Sequence, residues 1–233
     1  MNCKFCQNYE ISQLCQGKII SIQNLAQEFL KLQERKANNI NLVTGCIYVP
    51  QIIEALRLAK QKGLTIPIIY NSSGYEKKET LQMLDGFVDI YLPDLKYYYD
   101  DLAKDLSGIE KYFEIARDAI KEMRRQVGNP KFDEKGIIQR GLIIRHLVLP
   151  NHLQNTKQVL KWIQKNMPPE IYVSVMAQYF PEYKAFDTQD INRKLTTEEY
   201  NEIQNYLERL GIQNGYIQNL EENEKKYVPI WYT

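Results

Sequence analysis

Residues 66–96 read IPIIYNSSGYEKKETLQMLDGFVDIYLPDLK, and two apolar runs within them decide the fold. The first, Ile66–Tyr70, gives way to Asn71-Ser72-Ser73-Gly74. The second, Phe87–Leu92, gives way to Pro93-Asp94-Leu95-Lys96. Both are β-rich and almost uninterrupted by charge, as strands covered on both faces must be. Comparable runs occur at Ile40–Thr44, Leu142–Leu149 and Ile171–Ala177.

Amphipathic helical patterns separate these runs. Ser21 predicts an N-cap, with Ile22, Leu25, Phe29 and Leu32 on one face. Pro50 suits a first helical turn, with Ile52, Ile53, Leu56 and Ala59 inward and Gly63 as the stop. A third pattern runs from Ile109 through Tyr112, Phe113, Ala116, Ile120, Met123 and Val127 to Gly128. Two more span about Thr156 to Lys165 and Thr196 or Thr197 to Leu210, before Gly211. Strand and helix in alternation predict an α/β fold of right-handed βα units on a parallel sheet. An incomplete or closed parallel (β/α) barrel and an open doubly wound sheet both satisfy the pattern. No glycine-rich phosphate loop follows a strand, which removes the main signature of a dinucleotide fold. One domain over residues 1–233 is expected, with a polar loop at Asn129–Gly141 and a surface tail over about Glu221–Thr233.

The charge balance narrows the partners. Lys and Arg number 30 against 29 Asp and Glu, so no net field favours nucleic acid or an anionic membrane. Apolar stretches such as residues 141–149 are short and broken by Arg145 and His146, well below the length of a membrane span. At 233 residues the chain can bury roughly 70–75% of its unfolded surface, enough for a large core. Four scattered cysteines make a poor disulfide framework and fit a reducing cytoplasm.

Within that set, Cys3 and Cys6 form a C-x2-C pair in the opening MNCKFCQNYEIS. Such a pair is metal-binding or redox-active in a reducing compartment. A thioredoxin-like redox pair would need a strand before it and a helix N-terminus behind it. Gln7-Asn8-Tyr9-Glu10 predicts no helix start, and half of a zinc site shared with another chain is the remaining structural alternative. Cys15 and Cys46 are expected to pack, and His146, inside a strand, to lie in the core or against a helix. Tyr97-Tyr98-Tyr99 predicts a partly buried loop.

In parallel folds the chemistry gathers at the carboxyl ends of strands, where loops vary without disturbing the core. Those ends carry Thr44-Gly45-Cys46, then Asn71-Ser72, then Asp94 and Lys96, with Arg145 in the next strand. Each has a structural alternative: a turn for Asn-Ser-Ser-Gly, an ion pair for Asp94 and Lys96, an outward arginine for Arg145. Together they predict a rim bearing small donors, a carboxylate and cations, suited to a ligand with both an ammonium and a carboxylate.

The C-x2-C loop, NLVTG, IIYNSSGYE, DIYLPDLKY, IIRHLVLP and the Gln178-Tyr179 region together resemble the radical S-adenosylmethionine (radical SAM) superfamily, in the branch similar to pyruvate formate-lyase activating enzymes. The resemblance implies an incomplete parallel barrel and a 4Fe-4S cluster held by a C-x3-C-x2-C loop. Cys3 and Cys6 would be its second and third cysteines. The first would then lie two residues before Met1, and the chain would be truncated, lacking the first barrel strand. Three thiolates leave one iron open to the amino and carboxylate groups of S-adenosylmethionine. Reductive cleavage there would give methionine and a 5′-deoxyadenosyl radical.

By the same resemblance Thr44-Gly45 would meet the methionine amino group, although Cys46 stands where the family carries a glutamate. Asn71, Ser72 and Asp94 would serve the cofactor or a monovalent cation. Lys96 would take the carboxylate, and Arg145 the cofactor or substrate. The implied partners are a glycyl-radical enzyme or another protein substrate, and an electron donor such as flavodoxin or ferredoxin. Two other readings stay open on the sequence alone. One is a non-catalytic barrel-like scaffold with an incomplete metal site; the other is an aldolase-type barrel with Lys96 forming a Schiff base. The truncation is tested at the genome: the in-frame codon two positions before Met1 is expected to encode cysteine, and any other codon removes that account.

Overall fold

The computed structural model describes residues 1–217 of the chain, so the surface tail expected over 221–233 lies outside the described residues. The elements follow in the order α1 (Tyr9–Ser12), α2 (Ile22–Glu34), β1 (Ile40–Val43), α3 (Val49–Gln61), β2 (Ile68–Ser72), α4 (Lys78–Met83), β3 (Ile90–Pro93) and α5 (Asp100–Ser107). After these come α6 (Tyr112–Val127), β4 (Lys131–Phe132), β5 (Ile138–Leu147), α7 (Leu153–Asn166), β6 (Tyr172–Met176), α8 (Thr197–Leu210) and β7 (Gly215–Ile217). Strand order is β1-β2-β3-β5-β6-β7, with β4 antiparallel to β5. This is the α/β parallel sheet that the sequence predicts, and the strand path is open between β1 and β7.

The chain divides into two compact units. One comprises residues 19–94 and 114–144; the other comprises residues 1–18, 95–113 and 145 onward. In the first unit β1, β2, β3 and the start of β5 pair in parallel. Ile68, Tyr70, Ile90, Tyr91 and Leu142 are fully buried between the layers. Burial of each such aliphatic side chain contributes about 1.5–3 kcal/mol. Helix α2 starts at the expected cap, where the Ser21 hydroxyl accepts from Asn24 N. It packs on α3 through Ala26 and Phe29. Leu32 is an exception to the predicted stripe, at 39% exposed. Its place is taken by Gln33, whose amide accepts from Thr65 N and donates to Gly63 O.

Three further expectations are corrected. The helix expected from Ile109 starts at Tyr112, because Lys111 has φ 54 and cannot continue a right-handed turn. The polar loop expected at Asn129–Gly141 is instead a β-hairpin of β4 against β5, turned at Gly136 (φ 75). A one-turn helix, α1, does follow the C-x2-C loop, without a side-chain cap, beginning three residues after Cys6.

In the second unit α7 packs against α8, and β6 pairs with β7 in parallel. A capping box opens α8, with Thr196 and Glu199 satisfying each other's backbone N–H groups. Gly211 (φ 68) closes it.

Gly141 is the backbone position with least latitude in the first unit. It pairs with Ile90 at φ 126, and a Cβ there would press on Pro130 Cα and lie 2.7 Å from Pro130 N. Gly141→Ala is expected to cost at least about 2 kcal/mol in chemical denaturation, from positive-φ strain plus displacement of a backbone segment.

Candidate functional site

Parallel register aligns the polar strand ends of the first unit. Val43 lies opposite Asn71, Asn71 opposite Leu92, and Ser72 opposite Pro93. The ladder then continues past the strands: Thr44 N donates to Asn71 O at 2.8 Å, and Asp94 N to Ser72 O at 2.9 Å. Asn71 and Ser72, expected just after their strand, are its last two residues. Thr44, Asn71, Ser72 and Asp94 therefore occupy one end of one sheet, as the sequence predicts.

Local geometry makes each of these positions specific. Thr44 adopts a left-handed conformation (φ 55) that turns the chain into a 3-10 turn at Gly45–Tyr48. Gly45 is buried, and a Cβ there would come 2.7 Å from Ile52 Cδ1, so a larger residue would require the Ile52 side chain to shift. Ser72 is 3% exposed, and its hydroxyl oxygen accepts from Gly74 N at 3.1 Å. Asp94 is 7% exposed, a carboxylate withdrawn from solvent at a strand end.

The sequence reading missed Glu76. Its carboxylate is buried and accepts from Tyr70 Oη at 2.9 Å and from the Ser72 hydroxyl. Burial pushes its pKa above the usual carboxylate range, against the pull of those two donors. The Cys46 thiol is also raised, first by burial and then by the nearby charge of Glu76. Thus a carboxyl group does stand beside Cys46, but it comes from the loop after β2 rather than from the loop after β1. A glutamate four residues beyond a strand gave no periodic signal by which to find it.

The second unit holds the C-x2-C pair. Cys3 Sγ accepts from Ser107 Oγ at 3.0 Å, and Ser107 Oγ lies 2.6 Å from Tyr97 Oη. Ser107 and Tyr97 are fully buried. Backbone bonds from Asn2 N to Ser107 O and from Lys4 N to Leu106 O clamp the C-x2-C loop onto the last carbonyls of α5. Lys4 adds an ion pair with Asp105 at 2.7 Å. Cys6 Sγ lies 3.3 Å from Ser12 Oγ. Burial raises the Cys3 thiol pKa, while the positive charge of Lys96 and the Ser107 hydrogen bond work the other way.

Arg145 belongs to this unit too, where its carbonyl accepts from Leu95 N at 2.8 Å. Cys46 is half-buried, whereas Cys15 is exposed at φ 54 and does not pack as expected. His146 is fully buried within β5, as expected. Tyr97 is buried, Tyr98 half-buried and Tyr99 exposed. The pocket-forming grooves at Pro50–Arg57 and along β6–β7 involve none of these groups.

Comparison with known proteins brings these features together. The family description "Radical SAM superfamily" matches residues 1–133. An uncharacterized protein of Methanocaldococcus jannaschii is 36% identical over 213 residues, covering 88% of this chain. The chain spans 57% of the length of that relative. Among solved structures, a domain of pyruvate-formate lyase-activating enzyme from Bacteroides vulgatus aligns with TM-score 0.54 at 13% identity, over 78% of this chain and 98% of that one. HydG, a maturase of the FeFe-hydrogenase, aligns with TM-score 0.59 at 11% identity, over 93% of this chain and 48% of its own. A cysteine-to-alanine variant of spore photoproduct lyase gives TM-score 0.59 at 11% identity, over 94% and 73%. At these identities the solved structures bear on the fold alone.

The raised pKa of Glu76 has a signed consequence. Its folded value exceeds its unfolded one, so its stabilisation is complete below the ordinary carboxylate range and is lost as pH rises through the folded value. Glu76→Gln removes that titration. The stability of the variant relative to the parent is expected to rise between about pH 5 and about pH 8, measured by urea denaturation at each pH. A constant difference across that range would mean that Glu76 is not held protonated by its surroundings.

Proposed function

The chain belongs to the radical SAM superfamily, whose enzymes use a 4Fe-4S cluster and S-adenosylmethionine, and from that premise we propose that it binds S-adenosylmethionine for radical chemistry. The single observation that carries the proposal is the setting of the C-x2-C loop. Cys3 is half-buried, receives the Ser107 hydroxyl and feels the charge of Lys96, the residue that matches the family's carboxylate-binding lysine. Cys3 and Cys6 fit as two thiolate ligands of the cluster. Among the described residues no third thiol, imidazole or carboxylate joins them in a metal-holding group.

By the resemblance, Thr44-Gly45 would meet the amino group of S-adenosylmethionine, Asn71, Ser72 and the buried Asp94 would serve the cofactor or a monovalent cation, and Lys96 would take its carboxylate. When bound, cluster and cofactor together supply one-electron cleavage of a sulfonium C–S bond, giving methionine and a 5′-deoxyadenosyl radical. The chain's own residues bind and orient. Gly45 lets the turn after β1 lie close to α3, Ser72 holds the turn after β2, and Ser107 aims the Cys3 sulfur. As substrate we infer a hydrogen donor on a partner protein, such as a glycyl residue, with flavodoxin or ferredoxin as the reductant class; both are carried by the resemblance. No helix among the described residues is long and apolar enough to cross a membrane.

The two-thiol count also supports a second reading, a non-catalytic scaffold. Iron and sulfide content after anaerobic reconstitution, in a chain carrying all three cysteines of the motif, separates the two. About four irons with matching sulfide, abolished by Cys3→Ala or Cys6→Ala, supports the enzyme, and absence of both favours the scaffold.

For the cofactor, Asp94→Asn and Lys96→Ala are expected to weaken S-adenosylmethionine binding at least about tenfold in calorimetry, a loss of about 1.4 kcal/mol. Lys96 is partly exposed, so its removal as a merely structural charge would cost only about 0–1 kcal/mol of stability. Unchanged affinity together with a collapsed Tm would assign both residues to the fold.

A further inference from the structure

The backbone that carries Lys96 is held by side chains at almost every polar group. His146 Nδ1 meets Leu95 O at 2.6 Å, and Lys96 N donates to Tyr112 Oη at 2.9 Å. Asn155 bridges the next residues, donating from Nδ2 to Lys96 O at 2.9 Å and accepting from Tyr98 N at 2.8 Å. Leu95 N goes to Arg145 O. Tyr112 and His146 are fully buried and Asn155 is 3% exposed. The tautomer of His146 follows from its neighbours. A carbonyl can only accept, so Nδ1 carries the proton, and Nε2 then accepts from Thr156 Oγ1 at 2.9 Å.

Chain leaving a strand end usually completes its hydrogen bonds with backbone or water. Here three buried side chains, from β5, α6 and α7, converge on three consecutive peptide groups instead. Each would be costly to bury unpaired, so they fix the backbone of Lys96 in one conformation. The Lys96 side chain itself is partly exposed, and its charge acts on Cys3. A network that served only to seat α7 would have no need to grip both sides of the Lys96 peptide.

We propose that Tyr112, Asn155 and His146 are positioning residues for Lys96, fixing the direction of its ammonium toward the cofactor carboxylate. This rests on the reading of Lys96 given under the proposed function, and the test separates the two. Tyr112→Phe removes one oxygen, and Asn155→Ala removes the bridge; His146 is left intact because its loss endangers the core.

The first readout needs no cofactor. Acylation of the Lys96 amine, measured by peptide mass spectrometry against exposed Lys161, is expected to rise about threefold or more in each variant as local restraint is lost. An unchanged ratio alongside a lowered Tm makes the network structural only and overturns the proposal. The second readout is calorimetry with S-adenosylmethionine in a double-mutant cycle. Tyr112→Phe is expected to weaken binding about fivefold when Lys96 is present and not at all in Lys96→Ala. A loss that persists in Lys96→Ala also overturns positioning through Lys96. If Lys96→Ala alone leaves affinity unchanged, the carboxylate reading of Lys96 fails, and the acylation ratio still decides whether the three residues hold it.

Discussion

Parallel pairing allows no freedom in where strands end relative to one another, and the polar geometry of the first unit descends from that constraint. Once Ile40 pairs with Ile68 and Ile69 with Ile90, the positions of Val43, Asn71 and Leu92 in a row are settled. The residues that follow are brought level by the same ladder, through Thr44 N to Asn71 O and Asp94 N to Ser72 O. Side chains alternate across a strand, so a one-residue slip would send Ser72 to the opposite face. The apolar residues of these strands, fully buried at Ile68, Tyr70 and Ile90, resist that slip by several kcal/mol. The core thus positions the polar rim.

The second unit fixes its C-x2-C loop through a helix end and not through a strand ladder. Helix α5 supplies the anchor. Its last carbonyls lack partners within the helix, and Asn2 N and Lys4 N occupy two of them. The two bonds straddle Cys3, so its sulfur is delivered to the hydroxyl of Ser107, the helix's final residue. Tyr97 closes the chain from the other side, and its ring packs edge-on against Tyr112 at 5.2 Å. One aromatic pair therefore links the cysteine's hydrogen bond to the network around Lys96.

What could be read in the sequence follows from which forces leave periodic traces. Burial on both faces writes continuous apolar runs, so β1, β2, β3, β5 and β6 were legible, along with Thr44, Asn71, Ser72 and Asp94 at their ends. Helical faces were legible too, but Leu32 shows the limit: a polar Gln33 reaching Gly63 and Thr65 competes for the inward position. The hairpin at 129–141 was hidden because its two-residue strand, Lys131–Phe132, is too short to alternate. The contacts of Glu76, Ser107 and Asn155 left no trace for a deeper reason, and those of Tyr112 were hidden behind its place on a helical stripe. Each acts through isolated contacts with residues distant in sequence or outside any repeating element, and isolated contacts have no period. The C-x2-C pair, by contrast, announced itself by spacing, while its hold on α5 did not.

The arrangement around Cys3 also carries an energetic tension. Burial favours the neutral thiol, yet metal ligation needs the thiolate. The Ser107 hydrogen bond and the Lys96 charge both favour the anion, but the net direction remains upward, so these two groups offset only part of the cost. A cation bound at the sulfur would supply the remainder and release a proton as it did so. Placement of Lys96 then matters twice. In the proposed role its ammonium would have to assist the thiolate and yet stay directed at an anionic group, and a lysine side chain with four rotatable carbons satisfies both only if its backbone is fixed. The hydrogen bonds from His146, Tyr112 and Asn155 hold that backbone, leaving the side-chain rotamers as the remaining freedom.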